Sequence, residues 1–87
     1  MNNLIVSAAL VLEFPIDRYM KVLLNKREVI LNEEQTIIWR QLRKHESVSL
    51  EKLYAEIDID LITKQKFEEC IKAFLLNKMA IVVSDNW

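Results

Sequence analysis

The side chains able to do chemistry are few in this sequence and far apart. His45 is the only histidine and Cys70 the only cysteine. A zinc ion wants three or four such ligands, so this pair makes no metal site. Both residues have plainer roles. His45 lies in the charged run Arg43-Lys44-His45-Glu46, at the expected C-terminal end of a helix, where positive charge is favoured. Cys70 falls on an apolar stripe, where a thiol behaves as a small hydrophobe. Carboxylates pair at Glu33-Glu34, Asp58/Asp60 and Glu68-Glu69. These suit a helix start, a turn and a solvated helix face respectively. Glycine is absent, which rules out a glycine-rich phosphate loop. A chain of 87 residues with these features is not expected to hold a deep catalytic pocket or a cofactor. It reads as a binding module and not as an enzyme.

The elements that would position any site follow from periodicity. Leu4–Phe14 is rich in Val, Leu and Ile and reads as a strand, with Ser7–Ala9 as the place where it would break. Pro15-Ile16-Asp17-Arg18 reads as a turn. Tyr19–Leu24 alternates, with Met20, Val22 and Leu24 on one face. Asn25-Lys26-Arg27 is a short break before a third strand, Glu28–Leu31. Short breaks favour an antiparallel meander.

The period then changes to that of a helix. Asn32 is positioned to cap it, with Gln35 completing a capping box and Ile38, Trp39 and Leu42 as the apolar stripe. Leu50, Leu53, Tyr54 and Ile57 predict a second helix, entered from the Ser47–Ser49 break. A third has Thr63 or Asp60 as its cap, Phe67, Cys70, Ile71 and Phe74 as its stripe, and Asn77 as its left-handed end. Ile81–Val83 predicts a short final strand or wing. Without glycine, left-handed turns fall to Asn25, Asn32, Asp58, Asp60 and Asn77. The expected fold is α+β and winged helix-turn-helix-like: a three-stranded antiparallel sheet, three helices and a short C-terminal strand, in one domain over residues 1–87.

Charge limits the partners. Twelve basic against thirteen acidic residues leave a net charge of -1, so no general attraction to phosphate backbones or anionic membranes is expected. In a DNA-binding reading the last helix would recognise the duplex. Its outer positions then include Glu68 and Glu69, and Ile81–Ser84 as a wing carries no Arg or Lys. The apolar run near the N-terminus has no basic residues before it and is too short to span a bilayer, which takes about 20 residues. A cytoplasmic protein is expected.

The segment Leu31-Asn32-Glu33-Glu34-Gln35-Thr36-Ile37-Ile38-Trp39-Arg40-Gln41-Leu42 resembles the PqqD family. That family reads strand, Leu-Asn, then a helix with Ile-Trp and a Leu three residues later. Val22-Leu23-Leu24, the Asn25–Glu28 turn and Phe67–Phe74 extend the likeness from about Val22 to Met79. Glu34 and Gln35 stand where the family has small or hydroxyl residues, and Asn77-Lys78-Met79 where it has Gly-Leu. Leu31, Ile38, Trp39 and Leu42 also read as core, and Asn32 as a cap.

The resemblance implies a recognition element for ribosomally made precursor peptides. The leader segment would add as a strand beside the third strand, presented to a modifying enzyme such as a radical SAM protein. Carried onto this chain, the edge is Glu28, Val29, Ile30 and Leu31. Phe67, Ile71 and Phe74 would form the groove wall where they are not fully buried. Lys64 and Lys72 would meet acidic leader residues, and Lys26 and Arg27 would guard the edge or steer the peptide. An unprotected edge would also favour self-association, which leaves room for a homodimer through it.

Overall fold

In the computed structural model, residues 4–57 and 60–85 are described, and the element order follows from where the hydrophobic period switches. Strands β1 (Leu4–Ala8), β2 (Leu12–Ile16), β3 (Tyr19–Leu24) and β4 (Arg27–Leu31) precede helix α1 (Glu33–Arg43). Then come β5 (Val48–Ser49), α2 (Leu50–Ala55), α3 (Lys64–Leu76) and β6 (Ala80–Asp85). The fold is α+β, with two antiparallel three-stranded sheets ordered β5-β1-β6 and β2-β3-β4.

The expected single first strand is therefore two strands in two different sheets. The chain breaks at residues 9–11, later than the Ser7–Ala9 anticipated from sequence, and the two halves part company. β1 pairs with the last strand and the short β5, while β2 opens the meander. Pro15 lies inside β2 and not in the turn, which shrinks to Asp17-Arg18. No local pattern distinguishes one long strand from two that belong to separate sheets, because β1's partners lie about forty and eighty residues downstream.

Both hairpins and one helix end need left-handed residues, and lysine fills two of those positions. Asp17 (φ 57), Asn25 (φ 50), Lys26 (φ 67) and Lys78 (φ 61) are left-handed. Asn25 and Lys26 together form the two-residue turn that matches strand twist. At the end of α3, Lys78 N–H donates to the Leu75 carbonyl at 3.1 Å and Met79 N–H to that of Phe74 at 2.9 Å. This is a Schellman ending, with buried Met79 as its hydrophobic contact. The left-handed residue is thus Lys78, one position after the expected Asn77. Asn77 instead donates its side-chain amide to the Ala73 carbonyl. Asn32 is an extended helix cap. Asp60 is not left-handed either, and Asp58 lies outside the described residues.

Each helix starts on a side-chain cap. Asn32 Oδ1 accepts from Gln35 N–H at 2.8 Å, and Gln35 Oε1 accepts in return from Asn32 N–H at 3.0 Å, the reciprocal box read from sequence. Ser49 and Thr63 cap α2 and α3 by one bond each, accepting from the N–H groups of Lys52 and Lys66. The core lies between the helices and both sheets. Trp39 is fully buried and meets Phe74 edge to face, with ring centroids 5.4 Å apart. Its indole N–H donates to the Glu13 carboxylate at 2.7 Å, and Arg43 pairs with the same oxygen. Among the described residues, no helix is long and apolar enough to cross a membrane.

Candidate functional site

The site is built on the meander, so its hydrogen-bond phase matters first. The pair closing a two-residue hairpin exchanges both backbone bonds, and bonded pairs then alternate with non-bonded ones. Counting from Leu24↔Arg27, the bonded pairs are Val22↔Val29 and Met20↔Leu31. Glu28 and Ile30 then turn their N–H and C=O groups away from β3. Counting from Ile16↔Tyr19 on the other side, Glu13 and Pro15 turn outward from β2. Pro15 has no N–H, which blunts that edge. β4 carries no such block, and it pairs with β3 alone.

Helix α3 meets this strand at its start. At one end, Arg27 donates to the Asn77 carbonyl at 2.6 Å, tying the start of β4 to the end of α3. At the other end a cleft of about 230 Å³ opens between the start of α1 and the first half of α3. Asn32, Gln35, Ile38, Lys66, Glu69 and Cys70 line it, with Lys66 Nζ 3.3 Å from Glu34. The two spans match. Five strand steps from Arg27 to Asn32 and eleven helix steps from Lys66 to Asn77 each cover roughly 17 Å. The two elements are thus joined at both ends, by Arg27 with Asn77 at one and by Asn32, Lys66 and Cys70 around one cleft at the other. We call the space between the β4 edge and the face of α3 that helical spacing gives to Lys66, Cys70, Ala73 and Asn77 the trough.

The residues expected from sequence fall into three groups. Glu28 and Ile30 are exposed on the edge, and Val29 is half-buried beside them. Leu31, Phe67, Ile71 and Phe74 are core, each no more than 3% exposed. They support the trough from behind and cannot form its wall, because the stripe that binds α3 to the protein is the stripe its spacing revealed. Lys64 and Lys72 are exposed but sit roughly 160° and 120° around the helix from Lys66, at about 100° per residue, away from the trough. The trough-facing residues Lys66 and Ala73 gave no sequence signal, since either flank of the apolar stripe was equally available.

Electrostatics at the trough is asymmetric. Glu28 is paired with Lys21 at 3.7 Å. Glu33 and Glu34 near the cleft face Arg18 and Lys66. Burial pushes the Cys70 thiol up to about 12, with Glu34 adding to the effect, so at neutral pH it stays protonated and is no nucleophile. Among the described residues, no three His, Cys, Asp or Glu side chains gather where they would hold a metal ion.

No family model, curated protein or solved structure matches this chain.

Proposed function

We propose that this protein is a peptide-binding adaptor that takes an extended segment as an added strand on β4. The carrying observation is the phase of the meander: Glu28 and Ile30 direct backbone groups outward on β4, the edge of this sheet without a proline, whose start is tied to the end of α3. A disordered peptide satisfies those groups and places alternate side chains over the trough. The order α1-β5-α2-α3-β6, with β1 between β5 and β6, supports a winged-helix reading of the whole domain. Together with the PqqD-like Leu31-Asn32…Ile38-Trp39 segment, this favours the leader segment of a ribosomal precursor peptide as occupant. In that reading the adaptor acts in the cytoplasm and presents the peptide to a modifying enzyme, for instance a radical SAM protein. With no peptide present, the same edge is open to a second copy of the chain.

The test is a fluorescence anisotropy titration. Labelled leader segments of short peptides encoded beside this protein's gene would serve as ligands. Saturable binding at about micromolar Kd, near -8 kcal/mol, is expected. Ile30→Pro removes one outward N–H without touching the β3–β4 ladder, and should abolish binding while leaving the far-ultraviolet circular dichroism unchanged. Val29→Pro is unsuitable because that N–H bonds to Val22. Undiminished binding by Ile30→Pro, or no binding by any such segment, would overturn the reading.

A further inference from the structure

Three cations gather at one end of the trough. Lys26 ends the β3–β4 turn and Arg27 opens β4, where it reaches the carbonyl of Asn77, the residue before Lys78. Among the described residues, none of the three has a carboxylate within ion-pair distance. Arg27's contact, to the carbonyl end of α3, is with a partial negative charge only. The chain as a whole carries a net charge of -1, so this concentration of unpaired positive charge is a matter of placement. The opposite end of the trough has the reverse character. Glu34 and Glu69 line the cleft there against Lys66, and Glu33 beside them faces Arg18.

We infer that the strand bound at β4 is an acidic peptide of fixed polarity, its carboxylates lying C-terminal to its strand-forming residues. This rests on the strand-addition reading above and adds substrate class and direction to it. The sheet is antiparallel throughout, and antiparallel pairing is the more stable per residue. A strand antiparallel to β4 starts beside Leu31 and ends beside Arg27, so its C-terminal portion reaches Lys26, Arg27 and Lys78. Carboxylates at its other end would meet Glu34 and Glu69 and be repelled. The charged ends therefore set direction, and the edge groups of Glu28 and Ile30 supply sequence-independent affinity.

The experiment is selection from a displayed library of random twelve-residue peptides on three immobilised proteins: the native chain, Ile30→Pro, and the double variant Lys26→Asp, Lys78→Asp. Aspartate adopts the left-handed conformation more readily than lysine, so the double variant keeps the fold; Arg27 is left in place because it ties β4 to α3. The native chain should enrich peptides with Asp or Glu after a β-branched segment. The double variant should enrich Lys or Arg there, and should bind the native winners on the order of tenfold more weakly at low salt. Ile30→Pro should enrich neither. Binders without acidic bias would overturn the inference and leave strand addition standing. Binders unaffected by Ile30→Pro, or none at all, would remove both. Duplex DNA bound by the native chain and lost in the double variant would assign the cations to phosphates and overturn the inference.

Discussion

Replacing Lys78 by glycine should stabilise the protein, although the chain contains no glycine at all. Lys78 holds φ at 61 to complete the α3 ending, with Met79 buried behind it. A residue with a Cβ in that region costs about 1–2 kcal/mol. Glycine removes the crowding but frees the unfolded chain, which offsets about 0.5–1 kcal/mol of the gain. The net is about 0.5–1 kcal/mol in glycine's favour. Lys78→Gly also loses a cation near the carbonyl end of α3, so the reference is Lys78→Ala, which loses the same charge and keeps the Cβ. In a domain of this size, 1 kcal/mol moves Tm by roughly 4–8 °C. Calorimetry and urea titration should show Lys78→Gly above Lys78→Ala by about 2–8 °C, with an unchanged urea slope. Lys78→Gly at or below Lys78→Ala would refute the assignment of strain to this residue. Asn25→Gly should gain less, because asparagine tolerates the left-handed region better than lysine.

Four other outcomes are expected. Glu13→Ala leaves the buried Trp39 indole N–H without its acceptor and should cost about 1–3 kcal/mol in urea denaturation, with a shift in tryptophan emission. Phe74→Ala should cost about 3–5 kcal/mol, a large share of a total on the order of 5 kcal/mol, whereas Lys72→Ala should stay within about 0.5 kcal/mol and leave peptide binding unchanged. The hydrogen bond from the His45 ring, then that from Gln41, holds the Glu56 carboxyl below its ordinary value of 4.5. A lowered folded value means that the contribution is present above 4.5 and is lost as pH falls through the folded value. Glu56→Gln should therefore flatten the acid limb of a stability-against-pH curve below 4.5 and leave its shape unchanged at neutral pH. The Cys70 thiol, raised by burial, should react with a disulfide reagent at pH 8 only in urea; fast labelling of the native protein would contradict its placement.

Much of this architecture is legible locally, and the reasons differ by element. The α1 capping box needs only Asn32 and Gln35 three positions apart, and the helix stripes need only their own spacing, so sequence identifies both. The same holds for β3, whose alternation assigns Met20, Val22 and Leu24 to the core, where all three lie. The split of the first strand escapes such reasoning because β1 and β2 are alike in composition and differ only in partners. The left-handed lysines escape it because residue type sets a preference among turn positions, while hairpin twist and the Schellman ending choose the positions that must be filled.

For the candidate site the division is sharper. Sequence by itself determined that the chain has one His, one Cys and no Gly, that β4 is a short strand after a tight turn, and that Phe67, Ile71 and Phe74 share a helix face. Only the tertiary structure decided that this face is buried, and that the end of α3 at Asn77 meets the start of β4 at Arg27. It also brought the cations of residues 26 and 27 to residue 78, some fifty positions away. Periodicity is a property of one element, whereas a trough belongs to two; which flank of α3 meets β4 is set by how α1 and the sheet pack together, and no spacing within either segment encodes that.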